Sequence, residues 1–234
     1  MTVQAPAKLT LSLRVTGVRD DGYHLLDSEM VTIDLADSLT FAPGDGLEVV
    51  GTAPAGPGNL VVRALRAVGR TAAVKLVKRI PVGGGLGGGS ADAAAVLRWA
   101  GCRDLEIAAG LGADVPFCLV GGRARVTGIG EVLEPLDFEP LAGRTWTLLT
   151  PPFGVSTVAV YREWDRLGGP SGPGPNDLEV PALSVEPRLA EWRDRLAEAT
   201  GAEPVLAGSG STWFVAGAYP GPGRTVVSPV RFDT

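Results

Sequence analysis

Strict alternation of apolar and polar positions opens the chain. In KLTLSLRVTG (8–17) and SEMVTIDLADSLTFAP (28–43) apolar residues recur at every second place, which predicts half-buried strands, and GLEVVG (46–51) predicts a third, shorter one. The period then lengthens. NLVVRALRAVG (59–69) has helical spacing, with Asn59 placed as an N-cap and Gly69 as a stop, before AAVKLVKRI (72–80) returns to strand. SADAAAVLRWAG (90–101) predicts a helix closing on Gly101, and LEIAAGLG (105–112) a shorter one. Residues 123–136 read as strand and turn, and RTWTLLTPP (144–152) as a buried strand. The tract GGPSGPGPN (168–176) holds too many breakers for core and must be a loop. PRLAEWRDRLAEATG (187–201) is amphipathic helix, followed by strand-like PVLAGSGSTWFVAGA (204–218) and TVVSPVRF (225–232). This order predicts an α+β fold with a boundary near residue 145 and no internal repeat.

Composition narrows the class. With 234 residues, 45% of them hydrophobic, the chain can bury a substantial core in one large domain or two smaller ones. No run approaches the roughly 20 uninterrupted apolar residues of a membrane-spanning helix, and MTVQAPAKLTL lacks a basic region followed by an apolar block, so a cytoplasmic protein is expected. A net charge of -5 offers no field for a nucleic-acid backbone, so any anionic ligand must be held by local geometry. Cys102 and Cys118 are too few for a disulfide framework or a metal cluster and read as buried free thiols.

The chemistry concentrates in PVGGGLGGGSADAAAVL (81–97), where glycine fills 83–85 and 87–89 ahead of an alanine-rich helix. Glycine inside regular structure costs about 0.5–1 kcal/mol relative to alanine, so the cluster needs a compensating reason. A bound phosphate supplies one: backbone amides point inward unobstructed, and the helix start adds free N–H groups and its positive dipole end. The P-loop pattern fails, because Ser90 follows Gly89 where a lysine is required. The dinucleotide pattern is formally met by Gly83, Gly85 and Gly88, yet helical-looking CRDLEIAAG follows where a strand ending in an acidic residue is needed. A nucleoside triphosphate cradle of another kind remains, beside the plainer reading of a flexible glycine linker.

Phosphoryl transfer to an alcohol requires a carboxylate to take the hydroxyl proton, a cation beside it and donors along the triphosphate. GLGADVPFCL (110–119) supplies Asp114 among apolar neighbours, unless it simply caps a helix begun by Pro116. Lys8, in the apolar strand start APAKLTL, is the natural cationic partner, or an ordinary exposed lysine. AGSGST (207–212) offers further free amides near small hydroxyls, or a β-turn. His24, the single histidine, follows Tyr23 in DDGYHLLDS, a pair suited to a planar base, although a lone histidine is usually structural.

Together, PAKLTLSLRVTGVRDDGYHLLDS, IPVGGGLGGGSADAA, LGADVPF, GIGE, PNDLE and LAGSGST resemble, in order, the motifs of the GHMP kinases: the galactokinase, homoserine kinase, mevalonate kinase and phosphomevalonate kinase superfamily. The DGYH and GGGLGGGSADAA segments are similar to one branch in particular, which acts on cytidine diphosphate methylerythritol. The resemblance implies phosphorylation of the 2-hydroxyl of that compound by ATP, within the non-mevalonate route to isoprenoid precursors. It also implies an N-terminal domain (1–145) like the second domain of ribosomal protein S5, a ferredoxin-like C-terminal domain (146–234), and a site in the cleft between. By position, Asp114 would be the base and Lys8 its partner. Gly83, Gly84, Gly85, Leu86, Gly87, Gly88, Gly89, Ser90 and Ala91 would hold the phosphates, and Asn59, Val61 and Lys78 the adenine. Tyr23 and His24 would hold the cytosine with Tyr161 on its other face, while Thr157, Gly208, Ser209 and Gly210 complete the substrate side.

The chain departs from the family pattern in places. Thr10 stands where the family usually has asparagine, and the segments at 44–58 and 101–109 are short. Glycine stands where mevalonate-type relatives carry a magnesium-ligating serine, so magnesium is expected to arrive on ATP with no protein metal site. The partners expected are a small-molecule substrate, no nucleic acid, no membrane, and at most a weak homodimer. Two other readings stay open: a homoserine- or mevalonate-type kinase, for which Thr10 argues, and a catalytically inactive nucleotide-binding homologue, against which the Lys8 and Asp114 pairing argues.

Overall fold

The computed structural model describes residues 1–172 and 174–231 and contains two β-sheets with helices packed on both. β1 (Thr2–Val18) and β2 (His24–Ala42) form a long antiparallel pair. The other edge of β2 receives β5 (Arg123–Gly128) along residues 26–31 and β4 (Ala73–Val77) along 38–42. β3 (Gly46–Val50) extends the sheet in parallel with β4, and β6 (Val132–Pro135) extends it antiparallel to β5. Residues 228–230 close the gap between β4 and β5: Asp34 N–H donates to Ser228 O at 3.0 Å and Val230 N–H to Thr32 O at 2.9 Å. The second sheet is antiparallel throughout, in the order β10 (Arg224–Val227), β7 (Trp146–Leu149), β9 (Trp213–Ala216), β8 (Val205–Leu206).

An irregularity in β1 joins the two cores. Ala5, Ala7 and Leu9 pack into the core of the first sheet, whereas Leu13 and Val15 pack into that of the second. The register shifts by one residue between Thr10 and Ser12, and a one-residue shift moves every later side chain to the opposite face. The same odd-numbered alternation therefore serves two cores. Traffic runs the other way too, since Trp146, Leu148 and Phe214 of the second sheet bury themselves in the first core.

The first sheet carries α1 (Leu60–Ala67), α2 (Gly88–Trp99), α3 (Leu105–Leu111) and α4 (Val115–Val120). α1 starts as its sequence predicts, with Asn59 Oδ1 accepting from Val61 N at 2.8 Å. α2 is buried nearly all round. Ala91, Ala93, Ala94 and Ala95 have no exposed surface, and their single methyl groups let β1, α1 and α4 approach closely, so a bulkier residue there would cost about 1–3 kcal/mol. Among the described residues no helix is long and apolar enough to cross a membrane.

Several expectations need correction. α2 begins at Gly88, inside the glycine run, rather than at Ser90. The strand expected over 204–218 is two short strands around a tight loop, in which Ala207 N–H donates to Thr212 O at 2.9 Å. In the second half, α5 (Thr157–Arg166) and α6 (Glu179–Val185) precede the expected α7 (Leu189–Thr200), and neither is among the elements expected above. Proline in α6 and the valines and aromatics of α5 have low helix propensity, although Val160, Tyr161 and Trp164 stand at helical spacing. Cys118 is buried, and burial pushes its thiol up to about 12, but Cys102 is only half-buried. Phe232, the end of the last expected strand, lies outside the described residues.

Candidate active site

A cavity of about 990 Å³ opens between the two sheets, bounded by the glycine run, the start of β2, α5 and the 207–212 loop. Lys8 stands in its wall. Between two irregularities of β1, residues 8–10 keep regular pairing, so Lys8 and Thr10 point to one face. Lys8 Nζ donates to Thr10 Oγ1 at 2.9 Å and lies 3.5 Å from Asp114 Oδ2. The lysine side chain is 6% exposed and that of Asp114 32%, so the ammonium is buried while the carboxylate opens on the cavity. Asp114 sits at the N-terminus of α4 but makes no side-chain cap bond there, which leaves its oxygens for other work.

The glycine run is shaped largely by protein atoms. A Cβ built on Gly85 would lie 2.2 Å from Ala207 O, one on Gly87 2.8 Å from Lys8 Cγ, and one on Gly83 3.0 Å from Gly154 Cα. Gly83, Gly85 and Gly87 also adopt positive φ, which side chains resist. Ser211 and Thr212 N–H groups donate to Gly83 O and Gly84 O, both at 3.2 Å, fastening the second sheet's loop to the run. The glycines therefore first allow two backbones to meet. Their second effect is at α2, whose N-cap Gly87 offers no side-chain bond, so the first N–H groups of a 12-residue helix face the cavity unpaired.

Behind the run lies a buried ionic cluster. Lys78 Nζ contacts Asp37 Oδ2 and, at 2.7 Å, Asp92 Oδ2. Asp37 also accepts from the N–H groups of Arg79 and Ile80, which fixes the chain entering the run. Burial, reinforced by Asp37, pushes Asp92 up to about 7 against the pull of Lys78, and its Oδ1 is buried with no hydrogen-bond partner.

At the far end, His24 stacks on Tyr161 with centroids 4.7 Å apart and meets Trp164 edge-on at 5.3 Å. Its Nε2 lies 2.9 Å from Asp165 Oδ1. Burial raises the Tyr161 phenol above its ordinary value.

Residues 59–122 match the model of the GHMP kinases N terminal domain. A 4-diphosphocytidyl-2-C-methyl-D-erythritol kinase of Paracoccus denitrificans is 43% identical, over 90% of this chain and 84% of that protein, and one of Ruegeria pomeroyi is 39% identical over 97% and 91%. The chain belongs to the 4-diphosphocytidyl-2-C-methyl-D-erythritol kinase family. A crystal structure of 4-(cytidine 5'-diphospho)-2C-methyl-D-erythritol kinase matches with a TM-score of 0.73 at 36% identity, covering 92% of this chain and 89% of that one. The mevalonate kinase of Methanococcus jannaschii, at 12% identity, matches in fold alone with a TM-score of 0.62 over 99% of this chain and 98% of its own. The fold is that of the GHMP kinases, α+β, with an S5-domain-2-like N-terminal and a ferredoxin-like C-terminal domain. The protein is thus an ATP-dependent small-molecule kinase.

The cavity gathers most of the residues singled out in the sequence: Lys8, Tyr23, His24, Asn59, Lys78, Gly83 to Ser90, Asp114, Thr157, Tyr161, Gly208 and Ser209 all line it. Four others do not. Thr10 is 1% exposed, and its hydroxyl serves Lys8 because residues two apart on a strand share a face. Val61 is fully buried on the inner side of α1, and its N–H is spent on the Asn59 cap. Ala91 points into the core from α2, and Gly210 packs against Leu206. Lys78 and Asn59 reach the cavity but commit their polar atoms elsewhere, since Asn59 Nδ2 donates to Pro54 O at 2.7 Å. Of the three rings expected around the cytosine, His24 and Tyr161 lie against each other at 4.7 Å with no room for a base between them. Tyr23, 59% exposed, is the ring with a free face.

Asp165 also lines the cavity. Asp165 carries no sequence signal beyond a carboxylate on an unpredicted helix. Asn176 stands in PNDLE, a motif visible in the sequence but without a role there. Among the described residues no three His, Cys, Asp or Glu side chains gather where they could hold a metal ion.

Proposed function

We propose that this kinase transfers the terminal phosphoryl group of ATP to the 2-hydroxyl of 4-diphosphocytidyl-2-C-methyl-D-erythritol through Asp114 and Lys8. The observation that carries the reading is the buried Lys8 ammonium 3.5 Å from a carboxylate that opens on the same cavity as the free N-terminus of α2. Asp114 takes the proton of the 2-hydroxyl as the new O–P bond forms and the bond to ADP breaks. Lys8 orients the carboxylate, and its charge acts strongly because little water reaches it. Thr10 holds the ammonium in place, which gives the threonine a role without direct contact to substrate.

The N–H groups at the start of α2 receive the phosphates, and the base of ATP lies toward Pro54, Asn59 and Leu60. Asn59 and Lys78 shape that end without donating to it from the atoms already bonded. Magnesium belongs to the nucleotide in this reading, because the carboxylates behind the glycine run, Asp37 and Asp92, are buried against Lys78. The cytosine lies against the exposed ring of Tyr23. The catalytic cleft divides the chain at 145/146, between a nucleotide-binding part and a smaller C-terminal part, and the setting is cytoplasmic. The test is ADP release with ATP, magnesium and the cytidyl substrate, beside homoserine, mevalonate and no acceptor. Turnover with the cytidyl compound alone is expected, and turnover with homoserine or mevalonate in its place would sink the substrate assignment.

A further inference from the structure

We infer that Asn176 is a positioning residue for phosphoryl transfer, holding the Gly208–Ser209 wall of the cavity at its working distance from Lys8. The inference rests on the reading above that this wall faces the phosphoryl acceptor. Asn176 does not line the cavity and is 3% exposed. Its Nδ2 donates to both Leu206 O at 2.8 Å and Gly208 O at 2.7 Å, while its Oδ1 accepts from Leu178 N at 2.9 Å. The partners force the orientation of the amide, since two are carbonyls and the third is an N–H. Asparagine is the short side chain that carries two donors and an acceptor on one branch. Aspartate there would set a carboxylate against two carbonyl oxygens.

What makes the contact more than a loop tie is where each end is anchored. The backbone around Asn176 is fastened to the edge of β1, where Leu13 N–H donates to Pro175 O at 2.8 Å and Asp177 N–H to Leu13 O at 3.0 Å. The same edge, at Lys8, receives Leu86 O of the glycine run at 3.1 Å. β1 thus carries the cation, one wall directly and the opposite wall through Asn176. On that opposite wall a Cβ built on Gly208 would lie 3.4 Å from Lys8 Nζ and 3.8 Å from Thr10 Oγ1, so its backbone rests against the ammonium cluster. Ser209 follows, its hydroxyl 2.9 Å from that of Thr157, and both face the cavity. Among the described residues, the amide of Asn176 is what ties Gly208 O to β1.

Asp177 provides the contrast. It fastens the same segment to β1 through Arg14 at 2.6 Å and Val15 N at 3.0 Å but does not touch the 206–209 loop. Asn176→Ala should lower kcat/KM for the cytidyl substrate roughly 10- to 100-fold, the range expected when a reacting group is displaced by about 1 Å, with KM for ATP unchanged. Asp177→Asn should lower thermal stability without that loss. The double variant Asn176→Ala/Ser209→Ala should be no worse than Asn176→Ala, because the serine is then already out of place. Hydrogen exchange at the amides of 207–210 should rise in Asn176→Ala and not in Asp177→Asn, a readout that needs no turnover. If Asn176→Ala does not accumulate folded, Asn176→Ser, which keeps one donor, is judged by the same measures. Wild-type kinetics in Asn176→Ala or Asn176→Ser, an equal loss in Asp177→Asn, or additive losses in the double variant would overturn the inference. A wild-type protein inactive with the cytidyl substrate would instead count against the substrate assignment, and the exchange data would still decide for or against Asn176.

Discussion

Two lysines of this protein are buried to nearly the same degree and border the same cavity, yet their surroundings compensate their charge to different degrees. Lys8, 6% exposed, has a neutral hydroxyl at 2.9 Å and a carboxylate at 3.5 Å that is itself 32% exposed. Lys78, 5% exposed, is clamped by Asp37 and Asp92, which are 0% and 4% exposed. A buried ammonium in contact with two carboxylates has its charge compensated, although one of its three N–H donors remains. One with a hydroxyl and a distant, open carboxylate keeps its charge available to whatever enters. Burial alone therefore does not decide whether a lysine's charge stays available; the carboxylates in contact with it do.

The sharpest way to break this contrast is at the carboxylate that Lys8 faces. Asp114→Asn should lower kcat by about 10²–10⁴ while ATP binding stays nearly intact, as kinetics and nucleotide titration would show. A parallel loss of ATP affinity would make Asp114 structural. Next in size is the fastening. Lys78→Met leaves two carboxylates buried without their cation and should cost about 3–5 kcal/mol in urea unfolding, whereas Lys8→Met should abolish turnover at a smaller cost in stability. Equal stability losses in the two variants would erase the distinction.

The smallest expected effect is a slope. Because burial holds the Asp92 proton up to about 7 in the folded chain against 3.8 for the free group, the folded state binds that proton more tightly. The stabilisation is complete below about pH 4 and is lost as pH climbs through 7. Asp92→Asn has no such proton to lose, so its stability relative to wild type should improve between pH 5 and pH 8. A difference that does not change between those two pH values would show that Asp92 is ionised throughout, fully satisfied by Lys78.

Much of the first domain was legible because its signals are local. β1 and β2 alternate, Asn59 caps α1 two residues before the N–H it accepts from, and α2 follows its glycines directly. The second half was harder to read. α5 and α6 are short and carry valine, aromatics and proline, and they are helical because they pack over the second core rather than because their residues favour it. Thr10 shows the limit within a well-read element. Alternation places it beside Lys8, but only the fold shows that its hydroxyl accepts from the ammonium.

By itself, then, the sequence determined most strands and helices of the first half, the family, and many of the residues that line the cavity. Periodicity, caps and motifs act within a few residues of one another, so they can be read along the chain. Tertiary structure decided which atoms stand opposite each of those residues. The glycine run reads as space for phosphates, but Gly83 meets Gly154, Gly85 meets Ala207 and Gly210, and Gly87 meets Lys8. Asn59 and Lys78 read as ligands for a base, but Pro54, Asp37 and Asp92 already hold their polar atoms. Most of these partners arrive from dozens of residues away in the chain. Their approach is set by how two sheets share the edge of one bent strand, and no spacing along the sequence encodes that distance.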